Sequence, residues 1–307
     1  MSELVSPSDA LKQVADAIPA DCRHNIIVVG SLAAGYHYFR NDPKLQVRTK
    51  DADCLLRPRV EAIAAGVAVT EQLFAADWEF HPTEEFPSPG NASTPDEKLP
   101  VARLHPRGSP DWFIELLTVP ESENDLEKRY VRLRTSHGDF SLCSFGFLSL
   151  AEYQPTQTEF GIAVARPEMM ALANLLHHPT IAAERMSGLI NGRAIKRSNK
   201  DLGRVLALAY LAENATPDSL LNWAGLWKDA LKDRFPSHWR ELAARVDLGL
   251  RQLLRPENEP DLDEARHTCE FGLLASSPLT LKLLEVTGRR LLQDAIEPLQ
   301  KLLDTET

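Results

Sequence analysis

Short apolar runs alternate with polar turns along the first half of the chain, which is typical of a domain that mixes strands and helices. Residues 25–29 (NIIVV) form a β-branched run that ends at Gly30-Ser31, and residues 32–40 continue with a helical pattern. Residues 51–56 (DADCLL) predict a second strand, and apolar spacings of three and four predict a helix over 60–76.

Further strand candidates follow a loop, residues 81–100, that is rich in Pro, Ser, Gly and acids. They are residues 101–105, 112–117, 130–134, 139–143 and 159–164. We therefore predict an α+β domain with a mixed sheet over residues 1–165.

From Pro167 onward the apolar residues recur at helical spacing, interrupted by a polar loop at 255–263 (RPENEPDLD). We predict an all-helical domain over residues 166–307.

Composition narrows the function classes. The 307 residues are 43% hydrophobic and 25% charged, as in globular proteins, and contain no apolar run long enough to span a membrane. Four separated cysteines without a CxxC pair favour neither a zinc knot nor a disulfide framework, so we expect a cytoplasmic protein. The net charge of −10 opposes coating of nucleic acid by the whole surface, but not a local basic patch.

Asp51 and Asp53 are the first candidates for chemistry. Side chains two residues apart on a strand share a face, with Cα atoms roughly 6–7 Å apart. Phosphoryl and nucleotidyl transfer require carboxylates that converge on Mg²⁺, and this pair has a suitable separation. The alternative is a polar strand start at the surface.

Glu115 interrupts the apolar run WFIELL, where a carboxylate is costly unless it is paired, hydrogen-bonded or bound to metal. If its strand lies beside that of Asp51, Glu115 is the third metal ligand. The alternatives are a solvent-facing side chain or an ion pair with Arg103. Asp111 has the same strand parity and is the fallback third carboxylate.

Gly30-Ser31 lies where a strand turns into a helix, so backbone N–H groups and the helix dipole favour a phosphate there. A simple serine-capped helix is the alternative. Arg48 and Lys50, just before the acidic pair, are candidate nucleotide contacts or a solvated strand edge. Residues 185–204 carry six basic side chains against Asp201, either a phosphate or RNA surface or an ordinary solvated face.

VVGSLAAGYHYF followed by VRTKDADCLL resembles the strand–GS–helix–strand–DxD motif of DNA-polymerase-β-like nucleotidyltransferases. The resemblance is closest to the bacterial minimal and AbiEii-type branch, which includes toxin components of abortive-infection systems. WFIELL is similar to the strand of the third carboxylate, and ARPEMMALANLLHH with IKRSNKDLGRVLALAYL is similar to a later helical stretch. The likeness covers residues 25–212.

The resemblance implies a mixed nucleotidyltransferase sheet with flanking helices, followed by an all-helical carboxy-terminal domain. It implies Mg²⁺, or Mn²⁺ in its place, held by three carboxylates: Asp51, Asp53 and Glu115. It implies triphosphate contacts from three residues: Gly30, Ser31 and Lys200. Two features depart from the family: the 19-residue gap between Ser31 and Asp51 is long, and the third acid is Glu rather than Asp.

The implied reaction transfers a nucleoside monophosphate from an NTP to a hydroxyl on an RNA 3′ end, a protein side chain or a small molecule such as an aminoglycoside. The toxin-type relatives also imply a cognate antitoxin-like partner, and no membrane partner is expected. The rival hypothesis is a non-catalytic nucleotide-binding or protein-interaction module that retains the fold.

Overall fold

A computed structural model describes residues 3–42, 44–109, 111–125, 127–177, 184–186 and 188–304 of the chain. The structure is α+β, with a mixed sheet and helices. Two compact units form: Met1–Tyr36 with Thr49–Arg166, and His37–Arg48 with Pro167–Thr307. The segment His37–Arg48, which the sequence pattern placed in the amino-terminal domain, therefore groups with the second unit. In these described ranges no helix combines the length and the apolarity needed to cross a membrane.

The strands and helices up to Arg166 are, in chain order, β1 (Glu3–Val5), α1 (Pro7–Ala17), β2 (Ile26–Val29), α2 (Gly30–Phe39), β3 (Val47–Thr49), β4 (Asp51–Leu56), α3 (Arg59–Ala75), β5 (Trp78–Phe80), β6 (Arg103–Pro106), β7 (Phe113–Thr118), β8 (Arg129–Thr135), β9 (Gly138–Ser144), β10 (Thr156–Gln157) and β11 (Ala163–Val164). The predicted strands at 25–29 and 51–56 and the helices after each are confirmed. The predicted strand at 159–164 is shorter, because only Ala163–Val164 pairs in that range.

The mixed sheet of the first unit has the strand order β10-β11-β2-β4-β7-β6-β5, with β9 beside β7 and β8 beside β9. β4 runs antiparallel to β2 and parallel to β7. The other edge of β7 is shared by β6, which is antiparallel to it, and by β9, which is parallel. The three strands with the sequence motifs are therefore consecutive neighbours: β2, β4 and β7.

Helix α3 covers one face of this sheet. A Cβ atom added at Gly66 of α3 would lie 3.0 Å from Leu133 and 3.2 Å from Leu56, so the helix backbone approaches the strands closely. Ala52, Cys54 and Leu56 are fully buried, and burial raises the pKa of the Cys54 thiol. Because side chains alternate along β4, Asp51 and Asp53 lie on the opposite face.

Most of the described residues of the second unit after Arg166 are helical. Its helices are α4 (Pro167–His177), α5 (Arg197–Ala215), α6 (Trp223–Arg234), α7 (Trp239–Arg245), α8 (Leu248–Leu253), α9 (Glu259–Glu270), α10 (Leu281–Leu291) and α11 (Glu297–Asp304), with a π-helical turn at Leu292–Ile296. Helices α5 and α9 cross closely, since a Cβ added at Gly203 would lie 2.6 Å from the carbonyl oxygen of Ala265. The buried indole of Trp227 donates to the carbonyl oxygen of Glu168 at 2.9 Å and ties α6 to α4.

The loop predicted over residues 255–263 is wrong in its second half, because α9 begins at Glu259. Pro260 lies in the first turn of α9, where a missing backbone N–H leaves no helical hydrogen bond unmade. Glu259 and Asp261 are favoured at the positive end of the helix dipole. Proline and acids that resembled a loop are here the start of a helix.

Glu264 on α9 organises the segment that leads into α5. Its carboxylate accepts from the backbone N–H of Lys196 at 2.9 Å, from Asn199 Nδ2 at 3.0 Å and from Arg185 Nη1 at 3.3 Å. Burial alone raises the pKa of Glu264, but these three donors outweigh it and hold the pKa below its ordinary value. The ionised carboxylate therefore stabilises the folded second unit.

Replacing Glu264 by Gln is expected to lower the free energy of unfolding by ~1–3 kcal/mol at about neutral pH, because charge-assisted hydrogen bonds are lost. Urea denaturation monitored by circular dichroism measures this change. Since the folded pKa lies below the unfolded one, the contribution is present above the unfolded value of about 4.3 and is lost as the pH falls through the folded pKa.

The difference between wild type and Glu264→Gln should therefore shrink as the solution is acidified. The exposed Glu257 provides the matched control, and Glu257→Gln should stay within about 0.5 kcal/mol of wild type. Equal stability of Glu264→Gln and wild type at neutral pH would contradict the role given to this carboxylate.

Candidate active site

The parallel register of β4 and β7 brings the predicted carboxylates together. Asp53 is the register partner of Glu115, and Asp51 is the partner of Phe113 two residues earlier. Residues two apart on a strand share a face, so all three acids lie on the sheet face opposite α3. Each acid is half-buried. The adjacency of the two strands, on which the three-acid hypothesis depended, is present in the structure.

The Gly30 bend lies beside the Asp53 carboxylate. Val29 is the register partner of Asp53, and Gly30 follows with a left-handed φ of +75° as the first residue of α2. A Cβ added at Gly30 would lie 3.0 Å from Oδ2 of Asp53. The Asp53 carboxylate therefore sits beside the amino-terminal turn of α2, which Ser31 continues and where the helix dipole favours negative charge. Glycine meets both requirements of this position: positive φ and close approach.

Thr49 orients Asp51 from the preceding strand. The Thr49 hydroxyl lies 3.1 Å from Oδ1 of Asp51 and 3.0 Å from its carbonyl oxygen. Thr49 is buried, so its hydroxyl is held by this contact rather than by open solvent. The carboxylate of Asp51 consequently has a defined direction at the start of β4.

Arg103 flanks Glu115 on the side away from Asp53. The two residues are register partners on β6 and β7, and Arg103 Nε donates to Glu115 Oε2 at 2.5 Å. The side chains are 33% exposed for Arg103 and 14% exposed for Glu115. Glu115 thus lies between a carboxylate and a guanidinium, and the ion pair considered as an alternative from the sequence is observed.

Aromatic and basic side chains extend the same face beyond Arg103. The His81 ring stacks on Phe113 with centroids 4.4 Å apart, and His105 meets His81 edge-on at 5.5 Å. The Arg103 guanidinium lies 5.7 Å from the Phe113 centroid. Burial first, then the charges of His105 and Arg103, lower the pKa of His81. The alternation of side chains along β6 is enough to place Arg103 and His105 on one face. His81, which follows β5, lies in no sequence pattern that predicts its position beside Phe113.

The other predicted residues of the first unit lie at its edges. Lys50 is exposed between β3 and β4, where its carbonyl oxygen accepts from the N–H of Phe113 at 3.0 Å. Asp111 is exposed in the turn before β7 and lines a cleft of about 330 Å³ together with Thr49 and Trp112. Asp111 is therefore on the turn, whereas Glu115 is the register partner of Asp53.

Arg48 and Lys200 belong to the second unit. The N–H of Arg48 donates to the carbonyl oxygen of Gly272 at 3.1 Å, and its guanidinium lies 5.6 Å from the Phe271 centroid. Lys200 lies in the first turn of α5.

Much of the basic stretch at 185–204 is neutralised inside the second unit. Acids of α9 form ion pairs with it at N–O distances of 2.7 Å (Lys196–Asp261), 2.8 Å (Arg193–Asp263) and 3.3 Å (Arg185–Glu264). A local excess of positive charge in the sequence is thus largely balanced by a distant helix, which favours a structural role for these side chains.

The three carboxylates, on two adjacent strands, offer the hard oxygen donors that Mg²⁺ prefers. The chemistry of this donor set therefore suits a magnesium ion. Oε2 of Glu115 is engaged by Arg103. Across the described ranges, no group of three or more His, Cys, Asp or Glu side chains is placed so that together they could hold a metal ion. The case for Mg²⁺ at this face therefore rests on the chemistry of the three carboxylates and on the register of β4 and β7.

No protein-family model matches this chain, and no curated protein matches its sequence. The features that point to a function are two aspartates on β4, a glutamate beside them on β7, and a glycine whose added Cβ would lie 3.0 Å from Oδ2 of Asp53.

Gly30→Ala is expected to lower the free energy of unfolding by ~2–3 kcal/mol, because a strained φ is combined with a Cβ pressed against Asp53. Gly108 is the matched control, since it has a φ of +79° but no heavy atom of the described residues lies within 4 Å of an added Cβ. Gly108→Ala should cost only ~1–2 kcal/mol. Urea denaturation of both variants separates the cost of the positive φ from the cost of the Cβ contact with Asp53. Equal losses of unfolding free energy would show that this contact is unimportant.

Proposed function

We propose that this chain is a metal-dependent nucleotidyltransferase that transfers a nucleoside monophosphate from an NTP to an acceptor hydroxyl and releases pyrophosphate. The observation that carries the proposal is the register of β4 and β7, which sets Glu115 beside Asp53, with Gly30 against the same carboxylate. The resemblance of the GS and DxD segments to polymerase-β-like, AbiEii-type nucleotidyltransferases supports it.

The reaction needs positioning and charge neutralisation more than covalent help from the protein. The acceptor oxygen forms a bond to the α-phosphorus while the bond from that phosphorus to the bridging oxygen of the β-phosphate breaks. The acceptor proton leaves to a carboxylate or to water. Mg²⁺ or Mn²⁺, when bound, would neutralise the triphosphate and favour ionisation of the acceptor hydroxyl.

Each residue has a role that follows from its place on the face. Asp51 and Asp53 would hold the metal, with Asp51 directed by Thr49. Glu115 would hold it on the acceptor side, one strand further along the sheet. The backbone at Gly30 and Ser31 presents the amino-terminal turn of α2 to the triphosphate.

Lys50 is an edge contact for the nucleotide in this proposal. Nucleotide contacts from Arg48 and Lys200, which lie in the second unit, remain predictions drawn from the sequence and from the resemblance. The antitoxin-like partner also remains a prediction.

The surroundings of Glu115 bear on the acceptor. Arg103 is in contact with Glu115 and gives the acceptor side of this face a basic group. Against the opposing effect of burial, Glu115 is also among the groups whose charge raises the pKa of Lys128. A basic group there favours an RNA 3′ end or an anionic protein segment over a cationic small molecule such as an aminoglycoside.

Asp53→Asn and Glu115→Gln are each expected to reduce nucleotide transfer on the order of a hundredfold or more, because each removes an anionic metal ligand. Asp111→Asn, which alters the fallback acid in the turn, should remain within about threefold of wild type. Transfer is measured as label from each NTP, with Mg²⁺ or Mn²⁺, appearing on total RNA or lysate protein.

The rival hypothesis, a non-catalytic nucleotide-binding or interaction module, predicts a different pattern. It requires NTP binding without transferred label, and binding that is unchanged in Asp51→Asn and Asp53→Asn. That pattern would contradict the proposed reaction. Loss of transfer in Asp111→Asn but not in Glu115→Gln would instead identify Asp111 as the third metal ligand.

A further inference from the structure

The Arg103–Glu115 ion pair places a permanent positive charge beside Glu115, the third carboxylate of the proposed metal site. Arg103 Nε lies 2.5 Å from Oε2 of Glu115. The Glu115 side chain is only 14% exposed, so water and salt screen this pair less than a pair at the open surface. A cation that approaches Glu115 must contend with the guanidinium.

Arg103 is anchored independently of Glu115. Its guanidinium lies 5.7 Å from the Phe113 ring centroid, and its carbonyl oxygen accepts from the N–H of His81 at 2.9 Å. Its backbone is also paired with β7. The positive charge of Arg103 therefore stays near the carboxylates even when its contact with Glu115 opens.

We propose that Arg103 is a built-in counterion that occupies Glu115 in the metal-free protein and competes with a divalent metal for this carboxylate. The inference rests on the proposed function, because it takes Glu115 as a metal ligand. Asp53 and Glu115 are neighbouring like charges, and Arg103 offsets their repulsion when no metal is bound.

The same charge disfavours a bare divalent ion at these oxygens, since the ion and the guanidinium repel each other. The negative triphosphate compensates for Arg103, so the site favours metal that arrives together with the nucleotide. Arg103 is thus a positioning residue that couples metal loading to substrate.

Mn²⁺ binding to the nucleotide-free full-length protein, followed by calorimetry or by the EPR signal of free Mn²⁺, tests this directly. Arg103→Gln is expected to bind Mn²⁺ about tenfold more tightly than wild type, because a nearby positive charge is removed. Arg103→Lys keeps the charge and should bind like wild type. Arg107→Gln, which removes an arginine ion-paired to Glu79 at 2.7 Å, is the matched control and should also bind like wild type.

A double-mutant cycle locates the effect at Glu115. In a Glu115→Gln background, Arg103→Gln should tighten Mn²⁺ binding less than it does in the wild-type background, because the contested carboxylate is gone. Equal or weaker binding by the single variant Arg103→Gln would overturn the competition and leave Arg103 as an orienting partner only. If Asp51→Asn and Asp53→Asn leave Mn²⁺ binding unchanged, the proposed metal site itself fails, which is a separate result.

A second measurement is made on the wild-type protein, and a variant is needed only to assign the resonance. The Nε–H resonance of Arg103, assigned by its disappearance in Arg103→Lys, reports the hydrogen bond to Glu115 in solution. Saturating Mg²⁺ with a non-hydrolysable NTP analogue should shift this resonance toward that of a solvated arginine. A resonance that stays in place while the metal binds would overturn the proposal.

Discussion

The parallel pairing of β4 with β7 is the constraint on which the site depends. Slipping one strand by a single residue would turn all its side chains to the opposite face and separate Asp53 from Glu115. The buried positions resist such a slip, because Ala52, Cys54, Ile114 and Leu116 are fully buried on the face that α3 covers. Hydrophobic packing on one face of the sheet thus fixes the spacing of the acids on the other.

Electrostatic compensation makes this arrangement tolerable in the folded protein. Neighbouring carboxylates repel one another unless positive charge or hydrogen-bond donors lie close by. The amino-terminal turn of α2 approaches Asp53, and Arg103 pairs with Glu115. The acidic face is therefore balanced from both sides. In the second unit the same principle works structurally, since acids of α9 balance basic residues that had been candidates for RNA binding.

The sequence was sufficient for the local elements and for the faces of individual strands. Strand periodicity put Asp51 and Asp53 on one face of their strand, and the apolar run at 112–117 singled out Glu115. The pairing of these two strands, which the sequence left as a condition, is present in the structure. It was not sufficient for long-range neighbours. The stacking of His81 on Phe113 joins residues far apart in the chain, and α9 starts within a stretch whose proline and acids suit a loop equally well. Pairwise proximity and charge balance are tertiary properties, and single-sequence patterns do not encode them.

Anomalous diffraction from crystals grown with Mn²⁺ and a non-hydrolysable NTP analogue tests the central claim most directly. The proposed site requires an Mn²⁺ peak about 2.0–2.5 Å from carboxylate oxygens of Asp51, Asp53 and Glu115, with the triphosphate beside the Gly30 bend. Mn²⁺ bound elsewhere, or a nucleotide bound without metal at these three carboxylates, would contradict it.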